Sequence, residues 1–325
     1  MHKLMIGGAL LLCTVLVGWG MALYYSDEPA AFDVAQIAKT AAGNDKPVVG
    51  FTTTNTLIHV TETLLYKPGG FISNDILPPF VLMDDMPAWE LGALEMIRDL
   101  ALAMRTDLSR SQSQSVENSL LKQVQPKFNI EHRSWAVPTP EDEYTAAVKL
   151  LRTYRQALMD PNNQDHQFYA RADNLRDWLK QVEKRLGSYS QRLSASVGQD
   201  RLNTDLAGDA AARQSTLTPQ EMMVKTSWWR IDNEFYEARG ASWALLHFLK
   251  AIEVDFADVL ERKNATVSLQ QIIRELESTQ QTIWSPMVLN GSGFGVLANH
   301  SLVMANYISR ANAALIDLTE LLSQG

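Results

Sequence analysis

The chain has 325 residues, 46% hydrophobic and 20% charged, with a formal net charge of −8 and a pI near 5.3. That composition excludes a largely disordered or fibrous protein, and the acidic balance argues against wrapping nucleic acid, whose affinity comes from cations set against phosphates. One cysteine excludes a disulfide framework and a Cys-based zinc site within one chain.

The first element is the clearest. Leu4 to Tyr25 is 22 residues without a charge, about 33 Å as a helix against a hydrocarbon core of about 30 Å. Lys3 precedes it, and Asp27 and Glu28 follow it. The positive-inside rule puts the short amino end in the cytoplasm and the rest outside. A cleaved signal peptide is the rival reading, but its apolar region is shorter and ends in an A-x-A-like site, whereas the small pair here is Gly18 and Gly20. A retained anchor is therefore expected. Cys13 lies inside the span, where Leu12 is too large for a lipoprotein signal. Gly18 and Ala22 form a small-xxx-small pair, which fits either ordinary lipid-facing composition or packing between two anchors.

Residues 1–26 thus read as cytoplasmic start and anchor. Residues 27–50, with weak periodicity, read as a stalk that lifts the body off the membrane. Residues 51–325 read as one helical-bundle domain, with 198–217 as its only plausible seam.

Within the body the pattern is helical almost throughout, with no convincing alternating strand. Thr53 to Tyr66 reads as a short helix stopped by Pro68, Gly69 and Gly70, and 69–86 as an apolar loop with Pro78 and Pro79. Asp85 and Pro87 start a helix with the stripe Trp89, Ala93, Ile97, Leu100, Met104 and Leu108. Thr139, Pro140, Glu141 and Asp142 are a cap, a first-turn proline and first-turn acids, followed by Tyr144, Val148, Leu151, Tyr154 and Leu158. Phe168, Trp178, Val182, Leu186, Tyr189 and Leu193 mark a long helix to about Val197. Thr218, Pro219, Gln220 and Glu221 read as a capping box opening a helix to about Lys263, with Gly240 as a bend or interruption. Leu269, Ile272, Leu276 and Ile283 define another helix, Gly291 to Gly295 a turn, and a last helix runs from about Val296 to Leu322. The fold class is therefore all-α: an N-terminal single transmembrane helix followed by an elongated antiparallel helical bundle.

Chemistry is less legible. His59 and Glu62 are one turn apart, but there is no second such pair, so no metal is expected. Ser292 lies between glycines without the G-x-S-x-G pattern. Gly291, Gly293 and Gly295 could offer free N–H groups to an anion, though a tight turn that seats Phe294 explains them better. His247 interrupts an apolar stretch, as a satisfied core histidine or a pH-sensitive group. Asn299, His300 and Asn306 suggest a polar network on the last helix, or the wall of a cleft. Arg110 lies in a Ser/Gln-rich run that reads as a solvated linker or a polar binding strip with that arginine as anion anchor. Arg171 and Asp173, and Asp232, Glu234, Glu237 and Arg239, are dense hydrogen-bonding sets that read more readily as interhelical ion pairs than as acid–base machinery. A polar interhelical cleft would draw on Arg110, Arg171, Asp173, His247, Asn299 and His300.

Several strings carry a resemblance: K-P-G-G-F-I-S-N-D (67–75), S-R-S-Q-S-Q-S (109–115), F-Y-A-R-A-D-N-L (168–175), Q-R-L-S-A-S-V-G (191–198), F-Y-E-A-R-G (235–240), A-I-E-V-D-F-A-D-V-L (251–260) and L-N-G-S-G-F-G-V-L-A-N-H-S-L-V-M-A (289–305). Together they resemble a proteobacterial family of membrane-anchored proteins known as domain of unknown function 2333, over nearly the whole chain. The resemblance implies an inner-membrane anchor with a periplasmic body, and it carries no activity and no catalytic residue. The functional expectation is a non-enzymatic, membrane-anchored envelope adaptor or scaffold binding a partner protein through helical surfaces. The alternative is a ligand-binding or hydrolytic bundle with a polar cleft. No cofactor, metal or nucleic acid is expected, and self-association is left open.

Overall fold

The computed structural model describes residues 2–111, 116–163, 165–202, 221–285, 287–292 and 295–324. The described residues are all-α apart from one small two-stranded sheet. Helix α1 (His2–Tyr25) contains a 20-residue stretch, Ile6–Tyr25, that is long and apolar enough to cross a membrane and is not covered by the body.

The segment expected to be a stalk is instead packed on the body. It contains α2 (Val34–Ala42), capped by Asp33, whose carboxylate accepts the Gln36 N–H at 3.0 Å. Val34 and Ala38 are buried where α2 meets α3 (Phe51–Tyr66) and α8 (Ile231–Asp255). Its apolar residues are mostly alanines, and they pack on the next helix, α3, and on the distant α8.

Helix α3 buries a run of threonines, an unusual core face for residues of modest helix propensity. Three of their hydroxyls find an acceptor one turn back, Thr54 donating to the Gly50 carbonyl, Thr56 to Thr52 and Thr61 to Leu57 at 2.7–2.8 Å, while Thr53 donates to the Asp255 carboxylate at 2.7 Å. Helix α4 (Asp85–Ala103) follows the expected stripe and ends in a π-turn over Met104–Leu108. A short α5 (Leu121–Phe128) leads to α6 (Pro140–Met159), where the Thr139 hydroxyl accepts the Asp142 N–H at 3.3 Å, as its sequence signature anticipates.

Helix α7 (Ala172–Ser194) begins after Phe168, which is buried but not helical. Beyond it, β1 (Gln199–Leu202) pairs antiparallel with β2 (Glu221–Val224). The capping box expected at 218–221 is thus not a helix start at Glu221. Strand pairing takes that residue, 218–220 lie outside the described residues, and α8 begins ten residues later. The chain breaks at Phe256 before α9 (Ala257–Arg262), and α10 (Thr266–Thr279) ends before Ile283. The last helix, α11 (His300–Ser323), starts four residues after Val296.

One apolar core runs through the bundle, and α4 on α8 and α7 on α11 are its main pairings. Gly240 does not interrupt α8, which runs continuously through it. It serves close approach: a Cβ there would sit 2.0 Å from the Trp89 carbonyl oxygen, and one at Gly92 would sit 1.9 Å from the Glu237 oxygen. Two glycines facing each other's helix let the α4 and α8 backbones touch.

The helices run between two ends. The α1 end gathers the start of α4, where Asp85 lies near Asp232 at the start of α8. It also holds the start of α6, where Asn74 donates to Glu141 at 3.0 Å, and the start of α11, where His300 meets Leu289. The far end gathers Thr53 against Asp255, Leu108 against Tyr169, and Lys263 against Gln324. Helices α3, α7 and α10 run the opposite way to these, so the bundle is antiparallel.

Candidate functional site

The expected cleft residues do not converge. Arg171 and Asp173 pair with each other at 2.9 Å on the far-end surface, and Arg171 also donates to the Ser111 carbonyl at 2.8 Å. Arg110, next in the chain to Ser111, turns back onto the Thr106 carbonyl. His247 is fully buried mid-bundle. Asn299 and His300 lie at the α1 end. Asn299 caps α11, accepting the Leu302 N–H at 2.9 Å and donating to the Gly291 carbonyl at 2.6 Å, while Asn306 is exposed. The polar set on the last helix is therefore a cap at Asn299, a loop contact from His300 to Leu289 and a surface residue at Asn306. In the glycine loop two of the three N–H groups expected to be free are engaged, Gly291 donating to the Ala298 carbonyl at 3.0 Å and Gly295 to the Ser292 carbonyl at 2.8 Å, and Gly293 lies outside the described residues.

His247 is the satisfied core histidine, with an unexpected partner. Nδ1 donates to the Trp243 carbonyl at 2.7 Å, and Nε2 accepts the N–H of Phe32 at 3.1 Å. The Phe32 ring stacks on the imidazole at 3.8 Å and meets His59 edge-on at 4.4 Å. Burial pushes His247 down to about 4, so it is neutral under ordinary conditions and keeps the tautomer that holds Phe32.

A second grip lies nearer α1. Arg239, 6% exposed, pairs with the Glu28 carboxylate at 2.6 Å and donates to the carbonyls of Thr279 at 2.7 Å and Gln281 at 2.9 Å. One guanidinium thus satisfies orphan carbonyls at the C-terminus of α10 and also holds the segment that leaves α1. Burial raises Glu28 against the pull of Arg239. The signal in the sequence is an arginine between small apolar residues, Ala238 and Gly240, in a helix otherwise suited to burial.

Two clefts flank Arg239. One, of about 420 Å³, is lined by Phe235, Ile283, Trp284, His300, Met304 and Tyr307. The other, of about 370 Å³, lies between residues 26–31 and Tyr236, Trp243 and Gln280. In the first, His300 Nδ1 accepts the Leu289 N–H at 2.9 Å, which leaves its proton on Nε2.

The neighbouring loop is fixed by a buried ion pair. Lys67 and Glu90, 2% and 0% exposed at their side chains, meet at 2.5 Å, and Glu90 also accepts the N–H groups of Ile72 and Ser73. Beside it Asp85 is raised to about 7, by burial first and then by Asp232, Asp84 and Glu28. Arg192 bridges Glu234 and Glu237 at 2.6 and 2.7 Å, so those carboxylates are interhelical ion pairs. Glu62 pairs with Arg152 at 2.5 Å. Among the described residues, no group of three His, Cys, Asp or Glu is placed to hold a metal ion.

The family model described as "Uncharacterized protein conserved in bacteria (DUF2333)" matches residues 1–325, and the chain belongs to that family. No curated protein and no solved structure matches it.

Proposed function

We propose that this member of the DUF2333 family is a non-enzymatic adaptor of the bacterial cell envelope. In this reading α1 crosses the inner membrane with its amino end in the cytoplasm, and the body stands in the periplasm and binds a partner protein through its helical surfaces. The observation that carries the reading is the double grip on the segment after α1: Glu28 on Arg239, and Phe32 on His247. A tether that only retains an enzyme near a membrane can be loose. A segment locked into the core fixes the direction in which every helical face points, which suits a scaffold.

Crosslinking in intact membranes, followed by native mass spectrometry of the gently extracted full-length protein, tests it. A stoichiometric protein partner supports the adaptor. A lone chain carrying a bound small molecule overturns it. The cleft of about 420 Å³ beside Arg239 and His300 favours that second reading, a ligand-binding bundle. Under it, Tyr307→Ala leaves a folded protein without the bound molecule.

A further inference from the structure

We infer that the α1 end of the body is a membrane-docking face, resting on the same bilayer that holds the anchor. The inference rests on the reading of α1 as a membrane span. Four loops meet at that end. The ring of Tyr25, at the close of α1, packs on Phe80 of the 67–84 loop at 4.9 Å. Asn74 of the same loop donates to the Ser134 carbonyl at 3.2 Å, which brings in the 129–139 loop. Arg230, beside Trp228 and Trp229, shares a cleft with Val81, Met83 and Arg133. Gln280, Thr282 and Ile283 line the cleft formed with residues 26–31.

These loops expose what a body of this size normally buries. Of eight tryptophans, three are buried in the core (Trp89, Trp178 and Trp243) and Trp19 is in α1. The other four, Trp135, Trp228, Trp229 and Trp284, all lie on loops at the α1 end and are 62–93% exposed. Leu77 and Leu82, 69% and 80% exposed, stand beside Phe80. The far end shows scattered aliphatics such as Val49, Val116 and Val267, with no strongly exposed tryptophan, tyrosine or phenylalanine among the described residues.

The anchor decides what covers this face. Tyr24 and Tyr25 close a span whose aromatic end belongs at headgroup depth. Whatever touches Tyr25 is at that depth too, and Phe80 does. Tryptophan favours the same layer because its ring is apolar and its N–H stays wet. The headgroup region also tolerates loop backbone that the hydrocarbon would not. Charge is not the driver: Asp75, Asp84 and Asp85 sit among these loops with Arg133 and Arg230. Docking is therefore expected to be insensitive to salt and to anionic lipid, unlike a polybasic surface.

The test uses full-length protein labelled with 5-fluorotryptophan in lipid nanodiscs, with each resonance assigned by a Trp→Phe variant. Lipids spin-labelled near the headgroup and a water-soluble gadolinium chelate serve as two relaxation probes. The expected result is that the lipid probe broadens Trp135, Trp228, Trp229 and Trp284, and that the double variant Leu77→Asp, Leu82→Asp loses this broadening while the core tryptophan resonances stay put. If the four are broadened by the chelate alone, the face is in water and the inference fails. If they escape both probes, another protein or a second copy covers them, and it fails equally. Trp19 separates this failure from that of the anchor: broadening of Trp19 alone by the lipid probe keeps the span and rejects docking, whereas an unaffected Trp19 rejects both.

Discussion

Replacing Gly240 by alanine is expected to destabilise the body, although alanine is the better helix former. On an exposed helix the change would add about 1 kcal/mol of stability. Here the new Cβ would lie 2.0 Å from the Trp89 oxygen, 2.7 Å from its carbonyl carbon and 3.0 Å from its Cα. The obstacle is main chain, so no rotamer relieves it, and α4 and α8 must part by about 1 Å. Overpacking of this kind costs about 1–3 kcal/mol, with the upper end apt for a backbone contact, which leaves a net loss of about 2 kcal/mol after the helix gain. Gly92→Ala is expected to behave alike, because its Cβ would meet the Glu237 oxygen at 1.9 Å. The double variant should lose less than the sum, since one separation relieves both contacts. Urea titration of the full-length protein in detergent, followed by tryptophan fluorescence, measures the change. A gain in stability for Gly240→Ala would refute the close-approach argument, because only a glycine free of its neighbours behaves that way.

Three further changes probe the α1 end. Asp85 is raised to about 7 when folded, against about 4 unfolded, so the folded state binds more protons between those values. Its contribution is fully present below about pH 4 and lost as pH rises through 7, so Asp85→Asn should match the parent at pH 4 and exceed it at pH 8 by about 2 kcal/mol after solvent screening. Equal stability at pH 8 would contradict the shift. Glu90→Gln strands the Lys67 ammonium, 2% exposed, without its counter-charge, and should cost about 3–5 kcal/mol in the same titration. Replacing Lys67 by Met as well should recover only part of that, because the N–H groups of Ile72 and Ser73 also lose their carboxylate. Thr139→Ala removes the cap of α6 and should cost about 1 kcal/mol; no change would mean the helix is held by packing alone.

What could be read from the residues was local. The apolar first helix, the α6 start at Thr139 and Pro140 and the stripe from Trp89 to Leu108 depend on neighbours within a turn or two, and the structure has them. What escaped depends on distance. Gly240 looks like a helix breaker until Trp89, about 150 residues earlier, is seen against it. Glu28 looks like the acidic flank of a span, yet its partner Arg239 is 211 residues away. The apolar residues of the 27–50 segment are mostly alanines, whose small side chains give little sign that the segment packs. The 218–221 string is a sound helix-start signal that β1 overrides by pairing with Glu221. At 299, the Asn cap was legible as a polar residue but not as the true start of α11, because Val296 and Leu297 continue the apolar pattern through a loop. The expected cleft failed for a related reason: polar residues on separate helices share a site only when the helix order brings them together, and here it puts Arg171 and His300 at opposite ends.

The central claim is that the body is held rigidly on its anchor rather than hung from a flexible stalk. The most direct test is a spin–spin distance measurement in nanodiscs between the native Cys13, exposed within α1, and a label at Val267→Cys, 76% exposed at the far end. A clamped segment gives one narrow distance distribution, which Arg239→Gln broadens. A distribution already broad in the parent protein, and unchanged by Arg239→Gln, would show that Glu28 and Phe32 hold nothing and would contradict the account.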